Sequence, residues 1–308
     1  MSSGNKLEPI FIAGPTAVGK SELALQLAER IGAEIISVDS MQVYRGLDIG
    51  TAKPTTEERA RVPHHLIDVV DVAESFDAAK FVGLAKKAVH EIQSRGKRPI
   101  FCGGTGLYFN AYLNGLGSAP SANPELRAEL ENTPLAELLR ELAERDPVAY
   151  ERIDRQNPRR VIRAIEVIRA TGRPFSEQRA DWSIRNPQSA IRNRNCFLLV
   201  RDIAELRNRI DVRVDEMFRR GLVAETEEQL KHGLAENRTA MQAIGYRQVV
   251  EHLRGERSLA ETVEMVKIKT RQFAKRQMTW FRRQLNAECI ELTKMQSAAE
   301  SPACWNNA

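Results

Sequence analysis

Cysteine is scarce in this chain: four in 308 residues, Cys102, Cys196, Cys289 and Cys304, and no two of them form a CxxC pair. A disulfide framework and a cysteine-built zinc site are therefore both excluded as organising features. Aromatic residues are only 6% of the chain, but hydrophobic residues reach 42%, and at this length that suffices for a sizeable core. No apolar run is long enough to span a bilayer, and the opening MSSGNKLEPIFIAGPT has no extended apolar stretch of the kind a secretory leader carries. These absences lead us to expect a reduced, cytoplasmic, monomeric globular protein with no membrane partner. The charge balance, 46 Lys and Arg against 41 Asp and Glu for a net +5, permits a polyanionic partner without demanding one.

What is present is a rhythm. Short apolar runs (PIFIA, AEIISV, RPIFCGG) alternate with helix-period segments (SELALQLAERI, FDAAKFVGLAKKAVHEIQSRG) from residue 9 to about 115. Such alternation predicts βαβ units, a parallel sheet and helices on both of its faces. GLGSAPSANP then reads as a connection leaving the sheet, and the residues beyond it as an inserted all-helical module. In NPRRVIRAIEVIRATG, Asn157 can cap, Pro158 suits the first helical position and Gly172 the end. CFLLV reads as one more buried strand, which returns the chain to the sheet, and helices are expected from there to about Leu292. The expected organisation is a first part of the α/β core over 1–117, the helical module over 118–192, a return to the core over 193–292 with basic C-terminal helices, and a disordered tail over 293–308.

GPTAVGKS, Gly14 to Ser21, satisfies G-x-x-x-x-G-K-[ST] between an apolar strand and a helix, the context that confirms a P-loop. Its glycines let successive amides turn toward one anion, the helix dipole adds to their field, Lys20 supplies a point charge, and Ser21 can ligate Mg²⁺. By itself the motif reads as ATP or GTP binding. That reading ordinarily needs a carboxylate closing a neighbouring strand, but PIFC runs into GGTGLY instead. The carboxylate is found in EIISVDSMQVY, where Asp39 ends the second apolar run. His64 and His65 are adjacent and do not converge on a metal, so they read as part of a structural turn.

The set GPTAVGKS, SVDSMQVYRGLDIGTAKP, PHHLIDVVD, FCGGTGLY, AIGYRQ and KRQMTWFR resembles the tRNA dimethylallyltransferases, also called tRNA isopentenyltransferases, in their order over residues 9 to about 285. The cysteines and histidines of the C-terminal zinc finger found in eukaryotic members are missing, so the bacterial form is the nearer likeness. The resemblance implies a P-loop NTPase-like sheet flanked by helices. It also implies transfer of the dimethylallyl group of dimethylallyl diphosphate to N6 of the adenosine 3′ of the tRNA anticodon, with release of diphosphate and a need for Mg²⁺. The diphosphate would then lie on Gly14, Pro15, Thr16, Ala17, Val18, Gly19, Lys20 and Ser21, with Arg213 reaching it. Asp39 would be the general base. Thr105 would hydrogen-bond near the adenine, although a helix-capping role fits its position equally well.

On the same grounds the tRNA would meet Asp39, Ser40, Met41 and Gln42, and Thr105. In the module it would meet Arg127, Arg159, Arg160, Val161, Ile162 and Arg163. Later in the chain it would meet Gly245, Tyr246 and Arg247, then Lys275, Arg276, Gln277, Trp280 and Arg282. Charge supports an RNA partner: Met265 to Ala287 holds seven Lys or Arg and no acid. In that segment Ala274, Met278, Phe281 and Leu285 form an inward stripe, leaving Arg271, Lys275 and Arg282 on another face. Two basic surfaces are expected to clamp a stem-loop whose target base is turned out into a channel, with RNA and isoprenoid entering from opposite mouths. The rival readings are a P-loop kinase or ATPase acting on a metabolite, and a non-catalytic RNA-binding module.

Overall fold

The computed structural model describes residues 7–180 and 195–292. The expected tail over 293–308 and the expected module end at 192 lie outside the described residues. The chain divides into two compact units, Met1–Leu113 with Ser183–Ala308, and Asn114–Trp182.

In chain order the first unit begins with β1 (Ile10–Ala13), α1 (Lys20–Ile31), β2 (Glu34–Val38), α2 (Thr56–Arg61), β3 (His64–His65), α3 (Ala78–Ser94), β4 (Pro99–Gly103) and α4 (Gly106–Asn114). The second unit contains α5 (Pro124–Asn132), α6 (Leu135–Arg145), α7 (Pro147–Arg152), α8 (Pro158–Thr171) and α9 (Phe175–Gln178). The first unit then resumes with β5 (Cys196–Val200), α10 (Ile203–Arg219), α11 (Leu222–Lys231), a 3-10 turn at Ala240–Gln242, α12 (Tyr246–Leu253), α13 (Leu259–Gln284) and β6 (Glu288–Glu291).

The six strands form one wholly parallel sheet in the order β3-β2-β4-β1-β5-β6. The four apolar runs read from the sequence supply its inner strands, and each is almost entirely buried because both faces are covered. Alternation sorts their side chains. Phe11, Ile36, Phe101 and Leu198 pack on one side with Phe81 and Ala85 of α3 and Phe281 of α13. Ile10, Ile12, Ile35, Ile100 and Leu199 pack on the other with Ala24, Leu25 and Ala28 of α1. Phe11 and Phe101 stack across the β1–β4 pair with ring centroids 4.9 Å apart.

Two elements differ from expectation. Helix does not continue to Leu292, because Glu288–Glu291 forms the edge strand β6 beside β5. Its sequence ECIE buries only Ile290, so no local pattern marks it; pairing with β5 makes it a strand. His64 and His65 form the opposite edge strand. His64 donates from Nδ1 to Val62 O at 2.7 Å, and His65 donates from Nε2 to Glu34 at 2.7 Å. Burial pushes the Glu34 carboxyl up, but hydrogen bonds from Arg95, His65 and Lys97 outweigh it and bring the carboxyl down to about 2. The two histidines thus go to separate partners, and among the described residues no cluster of three His, Cys, Asp or Glu could hold a metal.

In the helical unit, α8 starts and stops as the sequence requires, with Asn157 accepting from the Arg160 amide and Gly172 left-handed at φ 70°. Val161, Ile165 and Ile168 face its core with Leu138 and Leu142 of α6. Beside that core lies Glu166, 1% exposed. It accepts from Asn123 N at 3.0 Å, Arg127 Nη2 at 2.7 Å and Arg163 Nη1 at 2.8 Å. Replacing Glu166 by leucine strands an amide and two guanidinium groups, and is expected to destabilise the protein by about 2 kcal/mol in denaturant unfolding.

Candidate active site

The functional side chains meet because three strands stop at one level. Ala13 of β1 and Val38 of β2 are both in register with Gly103 of β4, so Gly14, Asp39 and Gly104 leave the sheet together at its C-terminal edge. That edge is where ligands bind in open parallel sheets.

From β1 the chain enters the loop Gly14 to Gly19, which must curl tightly to reach α1. Gly19, with φ 113°, is the N-cap residue, and no side chain caps the helix, so the first-turn amides are left facing an anion. Ala17 is also left-handed, at φ 63°. Neighbouring guanidinium groups hold this strained turn: Arg209 Nε donates to Ala17 O at 2.9 Å, and Arg201 Nε to Val18 O at 3.1 Å while its fork pairs with Glu205. The spacing in the sequence put Arg209 on the same helical face as Arg213, but its role as a fastener of the loop was not legible there.

Lys20 donates to Pro15 O at 2.7 Å, folded back over the loop. Burial, helped by Arg213 and opposed by Cys102 and Asp39, lowers its amine to about 8. Burial also pushes the Arg213 guanidinium below its ordinary value, against the attraction of Asp39. The buried Cys102 thiol is pushed up to about 11 by burial, with Lys20 opposing and Asp39 adding. These mutual influences place Lys20, Asp39, Arg213 and Cys102 around one volume. Cys102, silent in the sequence, is buried in the core on the α1 side of the sheet.

Asp39 accepts the amides of Met41 at 2.8 Å and Gln42 at 3.3 Å on the same oxygen, Oδ1; among the described residues Oδ2 has no such partner. Thr105 accepts from the Ser40 amide at 3.1 Å and donates its own amide to Val38 O at 3.1 Å. It therefore ties β4 to the turn bearing Asp39. Gln42 extends this frame, accepting from Ser37 and donating to Thr51 O and Ala52 O.

Other expected contact residues lie elsewhere. Tyr246 is wholly buried; its hydroxyl donates to Glu225 at 2.5 Å and accepts from Gly50 N at 3.1 Å. Glu225 also takes the amide of Ile49, so the pair pins the loop after Asp39, and the Tyr246 side chain is not on the surface where RNA would touch it. Gly245 caps α12 at φ 104°, and Arg247 is exposed beside Glu251. Val161 and Ile162 belong to the core of the helical unit, so their side chains are not on a contact surface either. Arg127 and Arg163 are engaged by Glu166, and Arg163 also donates to Pro120 O. Arg159 and Arg160 are exposed at the start of α8.

On α13 the inward stripe is as expected, with Ala274, Phe281 and Leu285 buried, and Gln277 joins it. Lys275, Arg276 and Arg282 are exposed. Arg271 is half-buried next to Asp211, and Trp280 is half-buried against Gly106, edge-on to Phe281.

A parallel sheet whose first strand opens through a glycine loop into an uncapped helix, with a carboxylate just past the end of β2 on the far side of β4, defines a P-loop-like α/β protein. Within that class the match is specific: residues 42–284 fit the model of the family described as IPP transferase. A tRNA dimethylallyltransferase 2 of Geotalea daltonii is 45% identical over 94% of this chain and 90% of that protein. The crystal structure of the full-length tRNA isopentenylpyrophosphate transferase from Bacillus halodurans is 39% identical, covering 96% of this chain and 93% of that one, with a TM-score of 0.68. A eukaryotic dimethylallyltransferase, solved acting on tRNA, is 29% identical with a TM-score of 0.74 over 94% of this chain and 75% of its own. The chain belongs to the IPP transferase family.

Proposed function

We propose that this protein transfers the dimethylallyl group of dimethylallyl diphosphate to N6 of the adenosine 3′ of the anticodon in tRNA, releasing diphosphate. The observation that carries the reading is the shared level at which β1, β2 and β4 end, since it sets a phosphate-holding loop near a carboxylate whose Oδ2 is bonded by no described residue. A passive RNA-binding module has no use for the loop, and against a kinase stands the match of residues 42–284 to the IPP transferase family.

In this reading the first-turn amides of α1, Lys20 and Arg213 neutralise the charge that builds on the departing diphosphate. The exocyclic amine is a weak nucleophile, because its lone pair is shared with the purine ring. Asp39 Oδ2 takes its proton as the carbon–nitrogen bond forms. Thr105 keeps the Asp39 turn against β4. The target base is turned out of the anticodon loop, since N6 of a stacked base could not reach a carboxylate at a strand end.

Magnesium suits this donor set. A hard, hydrated cation needs only one or two protein oxygens beside substrate phosphates, and the Ser21 hydroxyl in the first turn of α1 would provide one. When bound it would supply positive charge to the leaving group. No helix among the described residues is long and apolar enough to cross a membrane.

The direct test is to incubate the protein with unmodified tRNA, Mg²⁺ and dimethylallyl diphosphate. One five-carbon addition on a single adenosine is expected by mass spectrometry; ATP turnover without tRNA would replace this reading with the kinase one.

Two further expectations follow from the charges. Lys20 titrates near 8 in the free protein, and a bound diphosphate raises its pKa, so binding takes up a proton once the pH exceeds that value. Diphosphate affinity, taken as a ratio to that of Lys20→Met, should be level below pH 7.5 and fall above 8 by up to about tenfold per pH unit. A level ratio up to pH 9.5 would remove Lys20 from the site. Neutralising exposed Lys275 and Arg282 should weaken tRNA binding and reduce the slope of log affinity against log salt by about one for each, with the rate at saturating tRNA unchanged.

A further inference from the structure

Gln277 has a position no other polar side chain of α13 shares. It is 8% exposed, Oε1 accepts from the Thr16 amide at 2.9 Å, and Nε2 donates to Gly104 O at 2.9 Å. The orientation of its amide is not in question, since a backbone N–H can only donate and a carbonyl can only accept. The approach is close enough that a Cβ on Gly104 would stand 2.3 Å from Gln277 Nε2, so a side chain there would push the amide out of its place.

The two peptide groups it joins lie on opposite sides of the reaction. Thr16 is inside the phosphate loop. Gly104 precedes Thr105, whose hydroxyl holds the Ser40 amide beside Asp39. The helix that carries Gln277 also presents exposed Lys275 and Arg276 one and two residues before it. One primary amide therefore spans the diphosphate loop and the turn bearing the base, and roots both in the basic helix. We propose that Gln277 is a positioning residue that sets the separation between the leaving group and Asp39, an inference that rests on the functional reading above.

Bond formation depends on the carbon being held between its departing oxygen and the incoming nitrogen, and a displacement of about 1 Å there can cost a hundredfold in rate. Each half of the bridge is needed. Without the acceptor the Thr16 peptide is free to rotate and the loop is less well shaped for its anion. Without the donor the Gly104 carbonyl loses its partner in a buried seam and the Thr105 turn can drift.

The test uses Gln277→Leu and Gln277→Glu in the full chain, with two readouts: affinity for inorganic diphosphate with Mg²⁺ by calorimetry, and transfer to tRNA under saturating substrates. Gln277→Leu should lose about fivefold in diphosphate affinity and at least about tenfold in transfer rate. Gln277→Glu is the discriminating variant. A neutral carboxyl can accept from Thr16 and donate to Gly104 as the amide does, whereas the carboxylate faces the Gly104 carbonyl with no proton to give. Its rate relative to the parent protein should match that of the leucine variant at pH 8.5 and recover as the pH falls toward about 6, while the leucine variant stays level. If Gln277→Leu proves poorly folded, Gln277→Met keeps the volume and removes both bonds.

Parent-like values for the leucine or methionine variant in both readouts would overturn the proposal. So would a glutamate variant that stays impaired at every pH, for then Gln277 only fills the seam. If the parent protein binds diphosphate yet adds nothing to tRNA, the functional reading falls, and the diphosphate affinities of the variants still decide the role of Gln277.

Discussion

Replacing Asp39 by asparagine should lower the transfer rate about a thousandfold, the middle of the range for loss of a positioned general base. Tight binding of tRNA and of diphosphate should persist, with either affinity changed less than about threefold. The substitution is nearly isosteric. The Asn carbonyl oxygen can go on accepting the Met41 and Gln42 amides that now bond Oδ1, so the turn survives. The amide nitrogen then occupies the place of Oδ2 and can donate but not take a proton. Single-turnover transfer measured beside equilibrium binding checks this. A variant that transfers within threefold of the parent protein would take the base role from Asp39.

The second large effect is expected at Arg213. Its replacement by methionine should cost about a hundredfold in transfer rate, and lysine should restore only a minor part of it. A guanidinium offers two parallel donors to two oxygens of one diphosphate, whereas an ammonium offers a point charge. The site also contains Lys20, lowered to about 8 by burial and by Arg213 itself. Removing the Arg213 charge should therefore raise the Lys20 pKa and move the alkaline fall in diphosphate affinity to higher pH. This shift separates loss of a charge beside the loop from a general loosening of α10, which would lower the rate without moving the fall. Pre-steady-state transfer rates and the pH series of diphosphate binding give the two readouts.

Much of this architecture could be read locally. The runs at β1, β2, β4 and β5 are short, apolar and separated by helical periods, and both their type and their burial on two faces follow from that. The glycine loop was legible because its backbone torsions demand particular residues at fixed spacing. The caps of α8 were legible for a similar reason, since Asn157 and Gly172 satisfy local backbone groups. The inward stripe of α13 followed from period alone.

Polar side chains were another matter. Arg127 and Arg163 read as basic surface, yet a buried Glu166 between them takes both. Tyr246 read as a contact for RNA, yet it pins a loop 196 residues earlier in the chain. Gln277 read as a contact for tRNA, yet it is buried and its partners lie 261 and 173 residues away. The edge strand β6 has almost no apolar pattern and exists because β5 offers it a row of backbone groups.

By itself, then, the sequence determined where the phosphate-type loop turns, which of the longer segments are strands or helices, which faces are apolar, and that the start of α1 is shaped for an anion. These properties depend on torsional preference, periodicity and groups within a few residues of one another. Only the tertiary structure decided which donor meets which acceptor across the sheet edge, and with that which charged residues remain for a substrate. A buried polar group must find a partner wherever the fold brings one near, and that proximity is set by packing rather than by distance along the chain.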